Sequence, residues 1–192
     1  MSYGSGNSGD YKKLKGQMIQ VTDTDPVVYA GAWSSGGNIN QARQAMGGAG
    51  TTTAGLVFGG SPGPTANTES WNGTSWTEVN DLNSNRGYFS GAAGASNTSA
   101  LAFGGTPPTT ANTELYNGTS WTVSANLATS RYYLAGCGTR ALGLGFGGYN
   151  DSGGTVGVTE EYDGTGWATG GAMNTPEAAM GSFGTQTAAV SA

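Results

Sequence analysis

The chain has no histidine, a single cysteine (Cys137) and no lysine after Lys15. One thiol cannot build a disulfide framework. Without histidine, neither a His/Cys zinc site nor a Ser-His or Cys-His nucleophile couple can be assembled. Charge is scarce as well: Asp, Glu, Lys and Arg make up 10% of the 192 residues, against a usual quarter. From residue 31 onward, Arg43, Arg86, Arg131 and Arg140 stand against nine acids, which accounts for the whole net charge of −5. A body so poor in cations cannot neutralise a phosphate backbone, so no nucleic-acid partner is expected and anionic membranes are disfavoured. No apolar stretch approaches the ~20 residues that span a bilayer. The opening MSYGSGNSGD lacks the apolar core of a secretory signal, so Sec export is not expected.

Catalysis has little to stand on. The one adjacent acid pair, Glu160-Glu161, sits where a strand would turn the two side chains to opposite faces. The segment Asn150-Asp151-Ser152-Gly153-Gly154 does not have the spacing of an EF-hand calcium loop. The expectation is a protein that is not an enzyme and that carries no cofactor and no metal.

What the chain does have is glycine, 36 residues of it, and aromatics: five Trp, nine Tyr and five Phe. The aromatics are periodic, which separates the sequence from disordered low-complexity chains. Trp33, Trp76 and Trp121 each stand ten residues before an arginine (Arg43, Arg86, Arg131), and Trp167 stands ten before Glu177. Six residues after each Trp comes an apolar residue: Ile39, Leu82, Leu127 and Met173. The Trp-to-Trp steps are 43, 45 and 46. Between them, Phe58-Gly59-Gly60, Phe103-Gly104-Gly105 and Phe146-Gly147-Gly148 close apolar runs, followed by Thr68-Glu69, Thr113-Glu114 and Thr159-Glu160. An aromatic lies two residues beyond each Glu (Trp71, Tyr116, Tyr162), and the Trp follows five residues later.

Each unit therefore predicts four short strands. Strand a is the small-residue run after Arg, such as 87–94. Strand b ends at Phe-Gly-Gly, strand c carries Thr-Glu-x-aromatic, and strand d starts at Trp. The pairs Asn72-Gly73, Asn117-Gly118 and Asp163-Gly164 predict type I′ turns between c and d. Asn72-Gly73-Thr74 and Asn117-Gly118-Thr119 also match glycosylation sequons, but Asp163 in the third copy suits a turn and not a glycan.

Double glycine after an apolar strand, then Glu-x-Tyr, Trp, an apolar residue and Arg: this order resembles the kelch motif over residues 27–192. The resemblance implies a β-propeller. The Gly/Thr/Asn/Ser-rich dialect (NGTSWT, FGG) is further similar to kelch-like repeat proteins of tailed marine phages, cyanophages among them, which implies a virion component. Kelch-type oxidases hold copper with histidines and a Cys-linked Tyr; with no histidine, this chain does not take over that activity. The N-terminal piece VVYAGAWSS, with Tyr29 and Trp33, matches strands c and d, while residues 176–192 match strands a and b. Gly184 aligns with Gly50, Gly94 and Gly138, which places Ala192 at the Phe position. The expected architecture is all-β, a four-bladed kelch-like propeller of four-stranded antiparallel blades. One composite blade would be closed by the N- and C-terminal strands, removing the open edges. The alternative is a piece of a longer array.

Five candidate features follow. The Trp series, with Tyr29, Trp71, Tyr116 and Tyr162, is either a glycan-stacking platform or inter-blade packing, and recurrence in every copy favours packing. The Arg series either binds an anion or pairs with the Glu series, and the pairing is favoured. Cys137 aligns with Ala49 and Ala93, as a small buried residue does. The b–c loops differ between copies where everything else agrees, and they share one face with the d–a loops. Candidate binding residues are Ser61, Pro62, Pro64 and Asn67; Thr106, Pro107, Pro108 and Asn112; and Tyr149, Asn150 and Asp151 in a loop longer by three. Residues 1–26 form either a candidate extended attachment arm, with Tyr11, Lys12, Lys13, Lys15, Met18 and Ile19 as its amphipathic part, suited to adding a strand to a partner's sheet, or a disordered leader.

The function these features imply is a non-enzymatic virion structural or interaction protein: a tail fibre, tail-associated or capsid-decorating component in multiple copies. Its arm would hold another virion protein, and its loops would touch a neighbour or a host surface. The alternative is a lectin-like glycan-binding module, displayed on a virion or a cell surface.

Overall fold

A computed structural model describes residues 11–14, 17–20, 35–88 and 92–192, and it is all-β, with no helix among them. The chain divides into two units, Met1–Ser35 and Gly36–Ala192. In the first, β1 (Tyr11–Leu14) pairs antiparallel with β2 (Gln17–Gln20), setting Tyr11 against Gln20, Lys12 against Ile19 and Lys13 against Met18. Lys15 lies outside the described residues.

The second unit is propeller-like. It holds three four-stranded antiparallel sheets and a two-stranded one, each a meander in chain order. Sheet I is β3 (Gly47–Gly50), β4 (Gly55–Phe58), β5 (Thr68–Trp71) and β6 (Trp76–Val79). Sheet II is β7 (Ala92–Ser96), β8 (Ser99–Phe103), β9 (Thr113–Tyr116) and β10 (Trp121–Ser124). Sheet III is β11 (Ala135–Gly138), β12 (Gly143–Phe146), β13 (Thr159–Tyr162) and β14 (Trp167–Thr169). Sheet IV is β15 (Ser182–Thr185) with β16 (Ala188–Ser191). Strands b, c and d fall where the landmarks place them.

Strand a differs from expectation. Arg86 and Gly87 make single bridges to Thr65 and Thr106, and the described strand is Ala92–Ser96. The reason is at Tyr88, whose φ of 52° interrupts an extended chain. The same left-handed residue recurs two positions after every Arg-equivalent: Ala45, Tyr88, Tyr133 and Ala179, with φ between 50° and 59°.

The c–d turns also differ. A type I′ turn needs φ > 0 at both central residues. Gly73, Gly118 and Gly164 have it, but Asn72, Asn117 and Asp163 do not. Instead the loop is four residues long, and the side-chain Oδ1 of Asn72 accepts the amides of Thr74 and Ser75, each at 2.9 Å. Asn117 and Asp163 repeat the arrangement. Asn and Asp interchange here because both offer that acceptor.

The sheets are tied to one another by three recurring contacts. The second glycine of each Phe-Gly-Gly donates its N–H to the carbonyl of the next sheet's Arg-equivalent: Gly60 to Arg86, Gly105 to Arg131, Gly148 to Glu177, at 2.8–3.1 Å. A main-chain bond explains why Glu177 can stand where the other copies have Arg. Both glycines have positive φ, and a Cβ on Gly104 would come within 2.7 Å of the Arg131 carbonyl, so the doublet has no substitute. The second tie sets the Phe of one sheet edge-on to the Trp of the next: Phe58–Trp121 and Phe103–Trp167, with ring centroids 4.8 and 4.7 Å apart. In the third, that Trp donates its indole N–H to the preceding sheet's Thr, Trp121 to Thr68 at 3.1 Å and Trp167 to Thr113 at 2.9 Å.

The first strands of all four sheets line one cavity of about 480 Å³, with residues 48–50, 92–94, 136–138 and 182–184 at its wall. Apart from Phe183 these residues are small, which lets the four strands share one cavity. In sheet IV, Gly181 and Ala192 exchange both main-chain bonds, as Gly47 and Phe58 pair in sheet I, so Ala192 holds the Phe position as expected. Phe183 and Val190 are cross-strand partners and stay 66% and 49% exposed, although their equivalents Ala49 and Leu56 belong to a core cluster. The expected complement to this half sheet, the piece with Tyr29 and Trp33, lies outside the described residues.

Candidate functional site

The charged residues of the repeat form a buried lock. Arg43, Arg86 and Arg131 bridge Glu69, Glu114 and Glu160 at 2.7, 2.7 and 2.9 Å, and all six side chains are at most 3% exposed. The other terminal nitrogen of each Arg donates to two carbonyls of the same sheet, for Arg131 those of Gly147 and Val158. The carboxylates also receive d–a loop amides: Asn40 to Glu69, Asn83 to Glu114 and Ala128 to Glu160, at 2.6–2.8 Å. Burial lowers the pKa of Arg86 and Arg131, and the neighbouring Glu partly offsets it. With both terminal nitrogens engaged inside the sheet and their side chains buried, these arginines hold the fold and are closed to an external anion. Glu160 is buried in its pair while Glu161 faces solvent, so the adjacent acids do not act on one substrate.

The periodic aromatics are packing residues too. Trp121, Tyr116 and Tyr162 are 5%, 1% and 0% exposed, which leaves no face for a sugar in those copies. Trp71, Trp76 and Trp167 are half-buried, and Trp33 and Tyr29 lie outside the described residues. Cys137 is buried, its thiol pushed up by desolvation and directed at the Thr185 carbonyl.

The b–c and d–a loops do lie side by side. Gln44 bridges Ser61, Gly87 bridges Thr106, and Tyr132 bridges Tyr149. Within that face the candidate residues divide. Ser61 is buried against Gln44 by two main-chain bonds. The carbonyls of Asn67 and Asn112 accept from Arg43 and Arg86, so both residues serve the lock. Asn150 spends its Oδ1 on Ser152 and Gly154, shaping its own loop instead of offering that oxygen to an ion. Pro62, Pro64, Pro107, Pro108 and Asp151 are exposed, and Thr106 is half-buried.

Tyr149 leads to a group that the sequence did not reveal. Its ring lies 5.4 Å from Tyr132 and 6.4 Å from Tyr133, and Tyr133 meets Tyr88 edge-on at 5.2 Å. Four tyrosines from two sheets thus converge on the loop face, all half-buried. The main chain continues the link, with Tyr133 N–H donating to the Tyr88 carbonyl and Ala179 N–H to that of Tyr133, both at 2.9 Å. Tyr88 and Tyr133 are the two bulky members of the left-handed series, whose other members are alanines. A bulky side chain at positive φ is strained, and the two alanine copies show that the fold does not require an aromatic there. Desolvation, then the three neighbouring phenols, raise the pKa of Tyr133. None of the four hydroxyls makes a hydrogen bond to a described residue.

The available signals were the Tyr-Tyr pair directly after Arg131 and the Gly-Tyr after Arg86. Their meeting, across 45 residues, depends on two sheets being neighbours, and left-handed φ at a tyrosine is not written in any turn motif.

No family model matches this chain, and no curated protein matches it.

Proposed function

We propose that the protein is a non-enzymatic interaction component of a virus particle, a tail fibre, tail-associated or capsid-decorating protein. In this reading the face formed by the b–c and d–a loops contacts a neighbouring virion protein or the host surface. The observation that carries it is the contrast between the two kinds of position. The lock, the Phe-Gly-Gly ties and the c–d turns repeat almost residue for residue, whereas the loop face varies and gathers four half-buried tyrosines. Rigid sheets with variable loops at one end are a familiar platform for recognition. The absence of histidine and the internal pairing of three buried glutamates favour binding over turnover. The kelch-like order of landmarks and the phage-like dialect supply the virion assignment. The first unit, with its hairpin of Tyr11–Leu14 and Gln17–Gln20, serves as the attachment element.

Peptide mass spectrometry and antibody labelling of purified particles test this reading. The expected result is regularly placed copies on the particle, lost when residues 1–25 are deleted while the second unit still folds. Particles without the protein, or normal incorporation of the truncated chain, would overturn it.

A further inference from the structure

We propose that Tyr88, Tyr132, Tyr133 and Tyr149 form a binding site for a neutral carbohydrate. This rests on the reading that the loop face makes the contact, and it names the chemistry of what is contacted.

The ionisable groups of the ring cluster are four phenols, with no cation among them. A phosphorylated, sulfated or uronic ligand needs Arg or Lys at close quarters, and the three arginines of the lock are enclosed with their carboxylates. The ligand is therefore not an anion, and a bare cation held on the ring faces would leave the four phenol donors unused. Half-buried aromatic faces call for an apolar surface, while four hydroxyls without described protein partners call for a ligand with many donors and acceptors. A pyranose meets both demands at once, with C–H groups on its face and hydroxyls around its rim.

Ring tilts of 31° to 77° set faces and edges at several angles, a cup and not a single flat stack. A proline-rich peptide also seeks aromatic surfaces. It brings carbonyl acceptors but few N–H donors, and would leave the acceptor half of each phenol unused. The left-handed series supplies a second argument. Ala45 and Ala179 hold the same backbone without an aromatic, so that conformation does not itself call for the rings of Tyr88 and Tyr133.

Those alanines also make the variants safe. Tyr133→Ala puts at one sheet what another already has. Cellohexaose, mannohexaose and laminarihexaose are titrated calorimetrically into the full chain, with hexagalacturonate and decaproline alongside. At least one neutral hexasaccharide should bind, at least tenfold more weakly in Tyr133→Ala and Tyr149→Ala and severalfold more weakly in Tyr133→Phe, with each variant still folding cooperatively and its melting temperature lowered by no more than the lost ring contacts account for. No binding by any neutral sugar, or equal binding by wild type and variants, would overturn the proposal. So would preference for hexagalacturonate. Decaproline binding in place of sugar would also overturn it but leave the loop-face reading standing. Sugar binding by a protein missing from particles would leave the site standing and overturn the virion assignment.

Discussion

Trp121 opens β10 of sheet II, yet its indole N–H is held by the hydroxyl of Thr68 in sheet I, 3.1 Å away and buried. The bond crosses 53 residues and recurs between Trp167 and Thr113, so it measures how firmly neighbouring sheets are joined. Thr68→Val leaves a buried indole N–H without a partner and is expected to cost about 1–3 kcal/mol. Trp121→Phe removes the donor and part of the packing on Phe58, at a similar cost. Urea denaturation of both singles and the double should give a double mutant clearly less damaged than the sum. Strict additivity would mean that the bond does not couple the sheets.

The Arg–Glu lock makes a stronger demand. Arg131→Met leaves Glu160 buried beside an apolar side chain and is expected to destabilise by about 3–5 kcal/mol. Replacing both, as Arg131→Met with Glu160→Leu, removes the stranded charge and should be milder than Arg131→Met alone. The Gly147 and Val158 carbonyls still lose a donor, so the double does not return fully to wild type. Equal losses in the two variants, read from chemical denaturation, would show that the charge pair is not the cause.

Much of this was legible beforehand. Equal spacing of Trp, Arg, Phe-Gly-Gly and Glu marked the strands, because every sheet needs the same side chains to tie it to the next. Even Ala192 fell at its aligned position, since Gly184 fixes the register of β15 on β16. The turn type is not fixed by the sequence, because Asn-Gly suits two geometries and only the Oδ1 acceptor decides between them. The start of strand a and the tyrosine cluster were hidden for one reason: both depend on a left-handed residue at Tyr88 and Tyr133, which no local pattern announces.

That left-handed series can be probed where no aromatic contact complicates the answer. A non-glycine residue there costs about 1–2 kcal/mol, and glycine's looser unfolded state returns about 0.4–1 kcal/mol of any gain. Ala45→Gly and Ala179→Gly are thus expected to stabilise slightly, by up to about 1 kcal/mol each. A clear loss of stability in either would contradict the left-handed assignment.

Asp163 supplies the pH dependence. Bonds from the Thr165 hydroxyl and the Gly166 and Thr165 amides lower its pKa from the ordinary carboxyl value to about 2. A depressed folded-state value means that its contribution is present above pH ~4 and fades as the pH falls through about 2. The carboxyl carbon shift of Asp163 should titrate with a midpoint near 2. Asp163→Asn, which copies Asn72 and Asn117, should keep the turn and lose this pH dependence. A midpoint near 4 would show that the three bonds do not form.

The central claim is that the sheets are a uniform scaffold and one face does the binding. Amide hydrogen exchange on the full chain, with and without the particle or cell surface it attaches to, tests this most directly. The account predicts added protection in 61–67, 87–88, 106–112, 132–133 and 149–156, with the c–d turns at 72–75, 117–120 and 163–166 unchanged. Protection confined to those turns would contradict it.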